Sequence, residues 1–409
     1  MLNWCRRFNI FILLDSNGYY PEQSGFEWKL AAGCKESVSL ERGNGLNKLQ
    51  AFHDRHKTWL FGHLGYELLN EKKEALPVTG REVDFGDGFF FIPEIIISLK
   101  EQELTIECAS LLHETILAEI QASPAVIDKT VQETIILEHG ITAETYLEKI
   151  LALKRHILRG DCYEINFCQS FYANDTSIDP LSVYHQLAAL SPNPFGAFYR
   201  LYDNYCLCAS PERFIKKTSG TIISQPIKGT AKRNLEDEAL DIAARNYLLN
   251  SEKEKSENVM IVDLVRNDLS KVCTEGSVRV TELLAVYPFP QVYQLISTIE
   301  GNVEAETPFT AILEACFPMG SMTGAPKKRV MELIEQYEQT PRGLFSGSIG
   351  YITPSADFDF NVVIRSLMYD ATKKLLSFKA GGGITFNSIP EQEYEECLLK
   401  MEAIRKVLG

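Results

Sequence analysis

Apolar residues recur with a helical period in several parts of the chain. The clearest helical face has four members spaced three or four positions apart: Tyr146, Ile150, Leu153 and Ile157. Thr142 precedes this face as a candidate N-cap and Gly160 follows it, so the spacing predicts a helix between them. Similar patterns predict helices at residues 235–272, 326–337 and 391–408.

Short continuous apolar runs predict strands at residues 8–14, 89–99, 163–172 and 197–209. The pattern of residues 346–384 also favours strands, and residues 123–140 are the most plausible connector. Pro93 interrupts its run and indicates a bend or an edge strand. Because strands and helices come in blocks without strict alternation, the sequence predicts a mixed α+β fold and not a doubly wound parallel one.

Composition narrows the class of protein. The chain has 409 residues, of which 45% are hydrophobic and 23% charged, as in ordinary globular proteins. Acidic residues outnumber basic ones by 55 to 41, which argues against a nucleic-acid partner. No apolar run is long enough to span a membrane. Ten scattered cysteines without a Cys-x-x-Cys pair fit a reducing cytoplasm.

Two pairs of glutamates border apolar helix faces. Glu393 and Glu396 lie three residues apart in the last predicted helix, with Lys400 four residues further on, and Glu254 and Glu257 repeat the spacing. Such carboxylates cost free energy unless they are paired or bind a metal. Two pairs could share one Mg²⁺, which prefers oxygen ligands. The alternative is four solvated glutamates near helix ends.

A basic segment, SQPIKGTAKR at residues 224–233, contains a candidate nucleophile. Gly229 allows a ligand to approach the backbone directly after Lys228. The positive charges of Lys232 and Arg233 are expected to lower the pKa of Lys228, which would favour a neutral, nucleophilic amine. The alternative is an ordinary basic turn at the surface.

A glycine triplet at residues 381–383 follows a predicted strand. Its exposed N–H groups could hold a carboxylate, although most such triplets are tight turns. The segment GSMTGAPK at residues 320–327 does not have the order of a phosphate-binding loop. We therefore expect it to lead into the following helix.

Eight motifs occur in the order found in chorismate-utilising enzymes, and the chain resembles that family. They are SPERF at 210–214, PIKGT at 226–230, SENVMIVDLVRNDL at 256–269, FPMGSMTGAPKKR at 317–329, GSIGY at 347–351, VVIRS at 362–366, AGGGI at 380–384 and EQEYEE at 391–396. The family includes anthranilate, isochorismate, salicylate and aminodeoxychorismate synthases.

The resemblance covers residues 143–405 and implies the fold of anthranilate synthase component I. In that fold, large antiparallel sheets pack as a sandwich with helices outside. Residues 1–140 match only loosely, as in FGHLGYELLN at 61–70. We therefore expect a divergent N-terminal region at 1–140 that packs with the core fold, and a chorismate-binding catalytic region at 141–409.

The residue at position 228 distinguishes branches of this family. Anthranilate synthases usually have Ala in the motif PIAGT, whereas PIKGT is typical of aminodeoxychorismate synthases. That branch aminates chorismate at C4 to 4-amino-4-deoxychorismate, for p-aminobenzoate and folate synthesis. The resemblance implies that the Lys228 amine attacks C2 as the C4 hydroxyl leaves, and that ammonia then attacks C4 and expels the lysine.

The resemblance also implies roles for individual residues. Glu212 matches the general acid/base, for which we expect a raised pKa and a place beside Lys228 on a neighbouring strand of a hairpin. The alternative for Glu212 is an ordinary salt bridge with Arg213. The matches to substrate-binding groups are Gly229, Thr230, Arg365, Gly381, Gly382, Gly383 and Lys400. The matches to Mg²⁺ ligands are Glu257 and Glu396, with Glu254 and Glu393 as outer carboxylates.

Three positions depart from the family pattern. Glu164 stands where the family often has Gln and where the water-adding isochorismate and salicylate synthases have Lys, so water addition is not expected. Gln294 replaces a His that is common in both aminating branches. Phe345 stands where anthranilate synthases tend to have Tyr.

The leading hypothesis is a cytoplasmic, Mg²⁺-dependent transferase that aminates chorismate. No glutaminase motif is recognisable, so we expect a separate glutamine amidotransferase subunit to supply ammonia. The alternatives are anthranilate synthase component I, a catalytically silent regulatory or binding subunit, and a structural partner protein. The presence of Lys228, Glu212 and all four glutamates argues against a silent subunit.

Overall fold

The computed structural model describes residues 1–19, 25–70, 80–108, 113–124 and 134–409. Its strands, in chain order, are β1 Ile10–Asp15, β2 Trp28–Ala32, β3 Glu36–Leu40, β4 Leu60–Leu64, β5 Gly88–Ile92, β6 Ile95–Lys100, β7 Glu103–Cys108, β8 Glu138–His139, β9 Glu164–Ala173, β10 Phe195–Leu201, β11 Asn204–Ser210, β12 Arg213–Thr218, β13 Thr221–Gln225, β14 Ile227–Lys232, β15 Arg279–Pro288, β16 Val292–Asn302, β17 Gly324–Ala325, β18 Ser348–Ile352, β19 Phe358–Asn361, β20 Ser366–Asp370 and β21 Leu375–Ile384. Its helices are α1 Leu2–Cys5, α2 Gly45–His56, α3 His113–Ala122, α4 Ala143–Leu158, α5 Pro180–Leu190, α6 Glu238–Asn250, α7 Glu252–Ser270, α8 Phe309–Cys316, α9 Lys327–Glu338, α10 Pro390–Leu399 and α11 Glu402–Val407.

The strands form two large sheets in which the paired neighbours are antiparallel. The first sheet has the order β17-β9-β21-β20-β11-β10-β1-β2-β6-β7, with β8 beside β9. The second has the order β14-β16-β13-β12-β19-β18-β4-β5-β3, with β15 along β16. The predicted α+β class with large antiparallel sheets is confirmed.

Strand β1 of the first sheet is buried on both faces, which explains its continuous apolar sequence. In β1, Ile10 and Ile12 belong to the core that also contains residues of the second sheet. Phe11 and Leu13 point the other way, into a core shared with helix residues such as Ile150. A strand covered on both faces has no need of polar positions, so β1 reads as an uninterrupted apolar run.

The N-terminal strands are divided between the two sheets. Strand β1 pairs with β10 in the first sheet, and β4 pairs with β18 in the second. The predicted apolar run at 89–99 is divided between β5, in the second sheet, and β6, in the first. The bend expected at Pro93 is therefore the corner at which the chain crosses from one sheet to the other.

The helix at residues 142–160 is confirmed as α4. The Thr142 side chain accepts a hydrogen bond from the Thr145 backbone N–H, as an N-cap does. The single helix predicted at 235–272 is wrong, because Ser251 ends α6 and its side chain caps α7. The helix predicted at 391–408 is likewise two helices, with Lys400 and Met401 between them.

Part of the predicted connector at 123–140, residues 125–133, lies outside the described residues. On either side of it, α3 ends at Ala122 and the short strand β8 begins at Glu138. Within the described ranges, none of the helices combines the length and the apolar character that crossing a membrane would require.

Candidate active site

Lys228 lies in a β-bulge of β14. The pairing of β14 with β16 is regular at Ile227 and again at Thr230, but the register shifts between them. Gly229 has a φ of +97°, which a side-chain-bearing residue rarely adopts. The Asn258 side chain donates hydrogen bonds to the backbone oxygens of Lys228 (3.4 Å) and Leu295 (3.2 Å). A β-bulge changes the direction of a side chain that would otherwise follow the alternation of the strand's two faces. Here the redirected side chain is that of Lys228.

The Lys228 ammonium forms an ion pair with the Glu164 carboxylate. The Nζ–Oε1 distance is 2.7 Å, and both side chains are buried. Glu164 begins β9 of the first sheet, whereas Lys228 belongs to the second, so the pair joins the two sheets at their interior. It rests against Gly383 of β21, where a Cβ atom would come within 2.7 Å of both Nζ and Oε1.

The expectation that neighbouring cations lower the pKa of Lys228 is wrong. Burial alone would lower this pKa, but the surrounding carboxylates, Glu164 first, outweigh it and raise the pKa. Lys232 is exposed, and Arg233 is held 2.8 Å from Asp241. Lys228 is therefore protonated in the resting protein and must lose a proton before it can act as a nucleophile.

Glu212 is a buried carboxyl beside the lysine. It lies in the turn between β11 and β12, immediately before the paired residues Arg213 and Gln225 of the β12–β13 hairpin. The chain continues past Gln225 into β14, which brings Lys228 near Glu212. The expected neighbouring strands of one hairpin are wrong, because Glu212 lies in a turn and β14 pairs with β16 and not with β12. Arg213 instead binds Asp359 with two hydrogen bonds of 3.0 and 3.1 Å. The alternative role for Glu212, as the salt-bridge partner of Arg213, is therefore wrong.

Burial raises the pKa of Glu212 to about 7, against the opposing effects of Ser321, Lys228 and Arg365. The carboxyl can therefore hold a proton near neutral pH and donate it to a leaving group. This agrees with the raised pKa expected for a general acid. Ser321, which acts on Glu212, was not identified from the sequence as a site residue.

The four predicted carboxylates come from α7 and α10. Glu257 and Glu393 are buried, and Glu254 and Glu396 are partly so. Lys253 lies between the two helices, 3.1 Å from Glu393 and 3.9 Å from Glu257. The sequence analysis missed Lys253, although its position four residues before Glu257 is the spacing of a helical ion pair.

The carboxylate cluster has the character of a cation site. Burial raises the pKa of Glu257 to about 8, opposed by Lys228 and reinforced by Glu164. Its Oε1 atom is buried without a hydrogen-bond partner among the described residues. In the described part of the chain, no three His, Cys, Asp or Glu side chains are already gathered around one point as metal ligands. The four carboxylates offer only oxygen atoms as ligands, which is the donor type that Mg²⁺ prefers. In the present arrangement, the Lys253 ammonium is the positive charge beside these carboxylates.

The glycine triplet borders this cluster. Strand β21 pairs with β9 from Leu376 to Ile384, but with β20 only as far as Ser377. One edge of residues 381–383 is thus without a strand partner in the described chain. The Lys400 ammonium donates to the Gly381 carbonyl (2.8 Å) and lies 2.8 Å from Glu396. The other backbone groups of this edge can accept or donate hydrogen bonds to a ligand.

Arg365 supplies a positive charge on the side of Glu212. Its φ of +52° is left-handed, an uncommon conformation for a residue with a side chain and often found at functional sites. Burial lowers the pKa of Arg365 to about 10, opposed by the charge of Glu212. The guanidinium remains charged near neutral pH and can hold an anionic ligand.

The remaining positions from the sequence analysis, Thr230, Gln294 and Phe345, differ in solvent exposure. Thr230 is exposed and pairs across the ladder with Gln294, whose buried side-chain amide has no hydrogen-bond partner in the described structure. Phe345 belongs to the hydrophobic core between the sheets. Gln294 therefore has unused donor and acceptor atoms, as a ligand-contacting residue would.

Comparisons with known proteins show the family and the fold that this chain resembles. The model of the family described as chorismate binding enzyme matches residues 13–406. Aminodeoxychorismate synthase component 1 of Klebsiella aerogenes is 40% identical over 84% of this chain and 75% of its own length. The Escherichia coli (strain K12) protein of the same name is 41% identical over 66% of this chain, which spans only 59% of that relative. The crystal structure of anthranilate synthase component I from Streptococcus pneumoniae TIGR4 has a TM-score of 0.80 at 24% identity, covering 97% of this chain and 92% of that one.

Proposed function

The chain belongs to the chorismate binding enzyme family, and we propose that it aminates chorismate at C4 to 4-amino-4-deoxychorismate. The observation that carries this proposal is a buried lysine, Lys228, between the carboxylates Glu164 and Glu212. The relatives named aminodeoxychorismate synthase component 1 support it. The product would serve p-aminobenzoate and folate synthesis.

In the proposed reaction, Lys228 is the covalent nucleophile. Its neutral amine forms a bond to C2 of chorismate, both ring double bonds shift by one position, and the C4–O bond breaks. Ammonia then forms a bond to C4 as the C2–N bond to the lysine breaks. Two successive displacements of this kind place nitrogen on C4 with retained geometry and release the enzyme unchanged.

Glu212 is proposed to protonate the departing C4 oxygen, so that it leaves as water. Its raised pKa suits this step, since a general acid works best when its pKa lies near the operating pH. Arg365, Lys400 and the free edge of residues 381–383 are proposed to hold the two carboxylates of chorismate. Gly229 and Thr230 are proposed to contribute backbone contacts beside the ring.

We further propose that Glu257 and Glu396 hold Mg²⁺, with Glu254 and Glu393 as outer carboxylates. A bound Mg²⁺ would offset the negative charge of a substrate carboxylate. The unpartnered Glu257 oxygen and the raised pKa of Glu257 support this assignment. Lys253, which now lies between the two helices, would exchange contacts when the ion binds.

Ammonia is proposed to come from a glutamine amidotransferase subunit. The relatives' name, component 1, supports a second component. Free ammonium is expected to substitute for this partner in vitro. The free state of all ten cysteines supports a reducing compartment, and we place the reaction in the cytoplasm.

The test is the identity of the product from purified protein, chorismate, Mg²⁺ and ammonium. We expect a non-fluorescent product that has gained the amino group and kept the enolpyruvyl group. A lyase added afterwards should convert it to p-aminobenzoate. Fluorescent anthranilate would refute the proposal, because ammonia would then have attacked C2 and Lys228 would not be the nucleophile.

Unchanged chorismate would require the assay to be repeated with an amidotransferase partner and glutamine. Chorismate that is still unchanged would favour the silent-subunit hypothesis over catalysis. The matched control is Lys228→Ala, which should form no C4-aminated product under either condition.

A further inference from the structure

The resting state of Lys228 poses a chemical problem. An ammonium has no lone pair, so the lysine must lose a proton before it can attack carbon. The acidic groups that face it are Glu164 from β9, Glu257 from α7 and Glu212 from the β11–β12 turn, and no cation is in direct contact with it among the described residues. Within that part of the chain, Glu164 is the one carboxylate at ion-pair distance from Nζ.

We propose that Glu164 is the positioning residue of Lys228, holding its ammonium against β21 and accepting the proton that the lysine must lose. The inference rests on the proposed function, since it assumes that Lys228 attacks the substrate. It goes beyond that function by assigning a proton acceptor to the nucleophile. Glu164 itself need not touch chorismate.

The surroundings of Glu164 suit a proton acceptor. It pairs with Ala325 of β17, and its neighbour Ile165 pairs with Ile384 of β21, so its backbone is fixed between two strands. Its side chain is only 1% exposed. Apart from Lys228, no described residue donates a hydrogen bond to its two oxygens. A carboxylate with a single donor is free to take that donor's proton.

The absence of a side chain at Gly383 leaves room for the Lys228–Glu164 ion pair. A Cβ there would lie 2.7 Å from both Glu164 Oε1 and Lys228 Nζ, closer than a Cβ atom approaches another heavy atom. Any larger residue would push the two apart or move both. The backbone of β21 thus forms the surface against which the ammonium and the carboxylate meet.

The proton and electron balance closes over one turnover. Glu164 takes a proton from the Lys228 ammonium, and the neutral amine bonds to C2 while the C4–O bond breaks. The leaving oxygen takes the Glu212 proton and departs as water. When ammonia displaces the lysine, Nζ leaves as a neutral amine and recovers its proton from Glu164. The new C4 ammonium returns one proton to Glu212, and both carboxyls regain their starting states.

The substitution Glu164→Gln separates two roles of Glu164, which are to hold the Lys228 side chain in place and to accept its proton. A glutamine amide has nearly the same shape and can accept a hydrogen bond from the ammonium, but it cannot accept the proton. Lys228 would then have to lose its proton to solvent.

The experiment measures steady-state amination by the full chain at several pH values, with chorismate, Mg²⁺ and ammonium. For Glu164→Gln we expect kcat to fall by about 10²-fold or more, while KM for chorismate changes by less than about threefold. The kcat of the variant should rise about tenfold per pH unit at pH values below the pKa of Lys228, since only deprotonation by solvent makes the amine neutral. The wild type should lack this rise.

The control is Glu103→Gln in β7, an exposed glutamate at the opposite end of the same sheet, which should leave all parameters unchanged. Wild-type kcat in Glu164→Gln would overturn the proposal, and so would a loss confined to KM. If the wild type itself forms no C4-aminated product, the proposed function fails and not the role of Glu164 alone.

A second variant keeps the test decisive if Glu164→Gln does not fold. Glu164→Asp retains a carboxylate one methylene further from Nζ. Intact mass after mixing with chorismate in the absence of ammonia should then show the lysine adduct forming at least about tenfold more slowly than in the wild type. Adduct formation at the wild-type rate would overturn the proposal.

Discussion

Glu212→Gln should lower activity and raise stability at once. A general acid contributes about 10²–10⁴-fold to the rate, so kcat for amination should fall by that factor. The same substitution removes a carboxyl that is costly to ionise where it lies, because burial raises the pKa of Glu212 from an ordinary 4.5 to about 7. The two effects have one cause and can be measured separately.

The gain in stability follows from that pKa. A pKa difference of one between the folded and unfolded states corresponds to about 1.4 kcal/mol, so ionising Glu212 in the folded protein costs about 3 kcal/mol. Below about pH 4 the carboxyl is protonated in both the folded and unfolded states, and the cost is absent. Stability is lost as the pH rises from the unfolded to the folded pKa, and the full cost applies above about pH 7.

The assay is the melting temperature of the substrate-free protein at about pH 4 and about pH 8. With an unfolding entropy of about 2.1 cal/mol/K per residue, 3 kcal/mol corresponds to about 3–4 °C for this chain. Glu212→Gln should melt higher than the wild type by that amount at pH 8 and equally at pH 4. Glu103→Gln, exposed on β7, should show no difference at either pH. A variant no more stable at pH 8 would refute burial as the cause of the raised pKa.

Three further predictions concern the lysine, the cation and the glycine edge. Lys228→Ala leaves Glu164 buried without a partner and should lower the free energy of unfolding by about 3–5 kcal/mol in a denaturant titration. The double variant Lys228→Ala/Glu164→Gln should recover most of this loss, and a single variant as stable as the double variant would contradict the reasoning. Glu257→Gln should raise the Mg²⁺ concentration for half-maximal rate by about tenfold or more, and an unchanged Mg²⁺ titration would exclude Glu257 as a ligand. Gly383→Ala should lower kcat by about 10²-fold, because its methyl group occupies space within 2.7 Å of both Lys228 and Glu164; wild-type kinetics would show that the pair need not lie there.

The fold class and several elements follow from sequence patterns. The helix after Thr142 has a cap and a regular apolar face, which is why its prediction holds. The division at Ser251 also had a signal, since Ser251 and Glu254 have the spacing of a capping box. The division at Lys400 and Met401 had none, because neither residue breaks a helix and the apolar stripe continues through them.

The site is harder to derive because its chemistry depends on contacts between distant residues. Position and residue type identified Lys228 and Glu212, but charges adjacent in sequence suggested the wrong direction for the pKa of Lys228. The carboxylate that reverses it, Glu164, lies 64 residues earlier and on the other sheet. Only the pairing of β9 with β21, and the packing of the two sheets, brings these groups together.

The division of the N-terminal strands between the two sheets has a consequence for synthesis on the ribosome. Phe61 of β4 pairs with Tyr351 of β18, 290 residues later in the chain. At about 5–20 residues per second, β4 emerges about 15–60 s before β18 is made. During that interval its apolar residues lack their final covering, so newly made chains should depend on chaperones until β18 is complete.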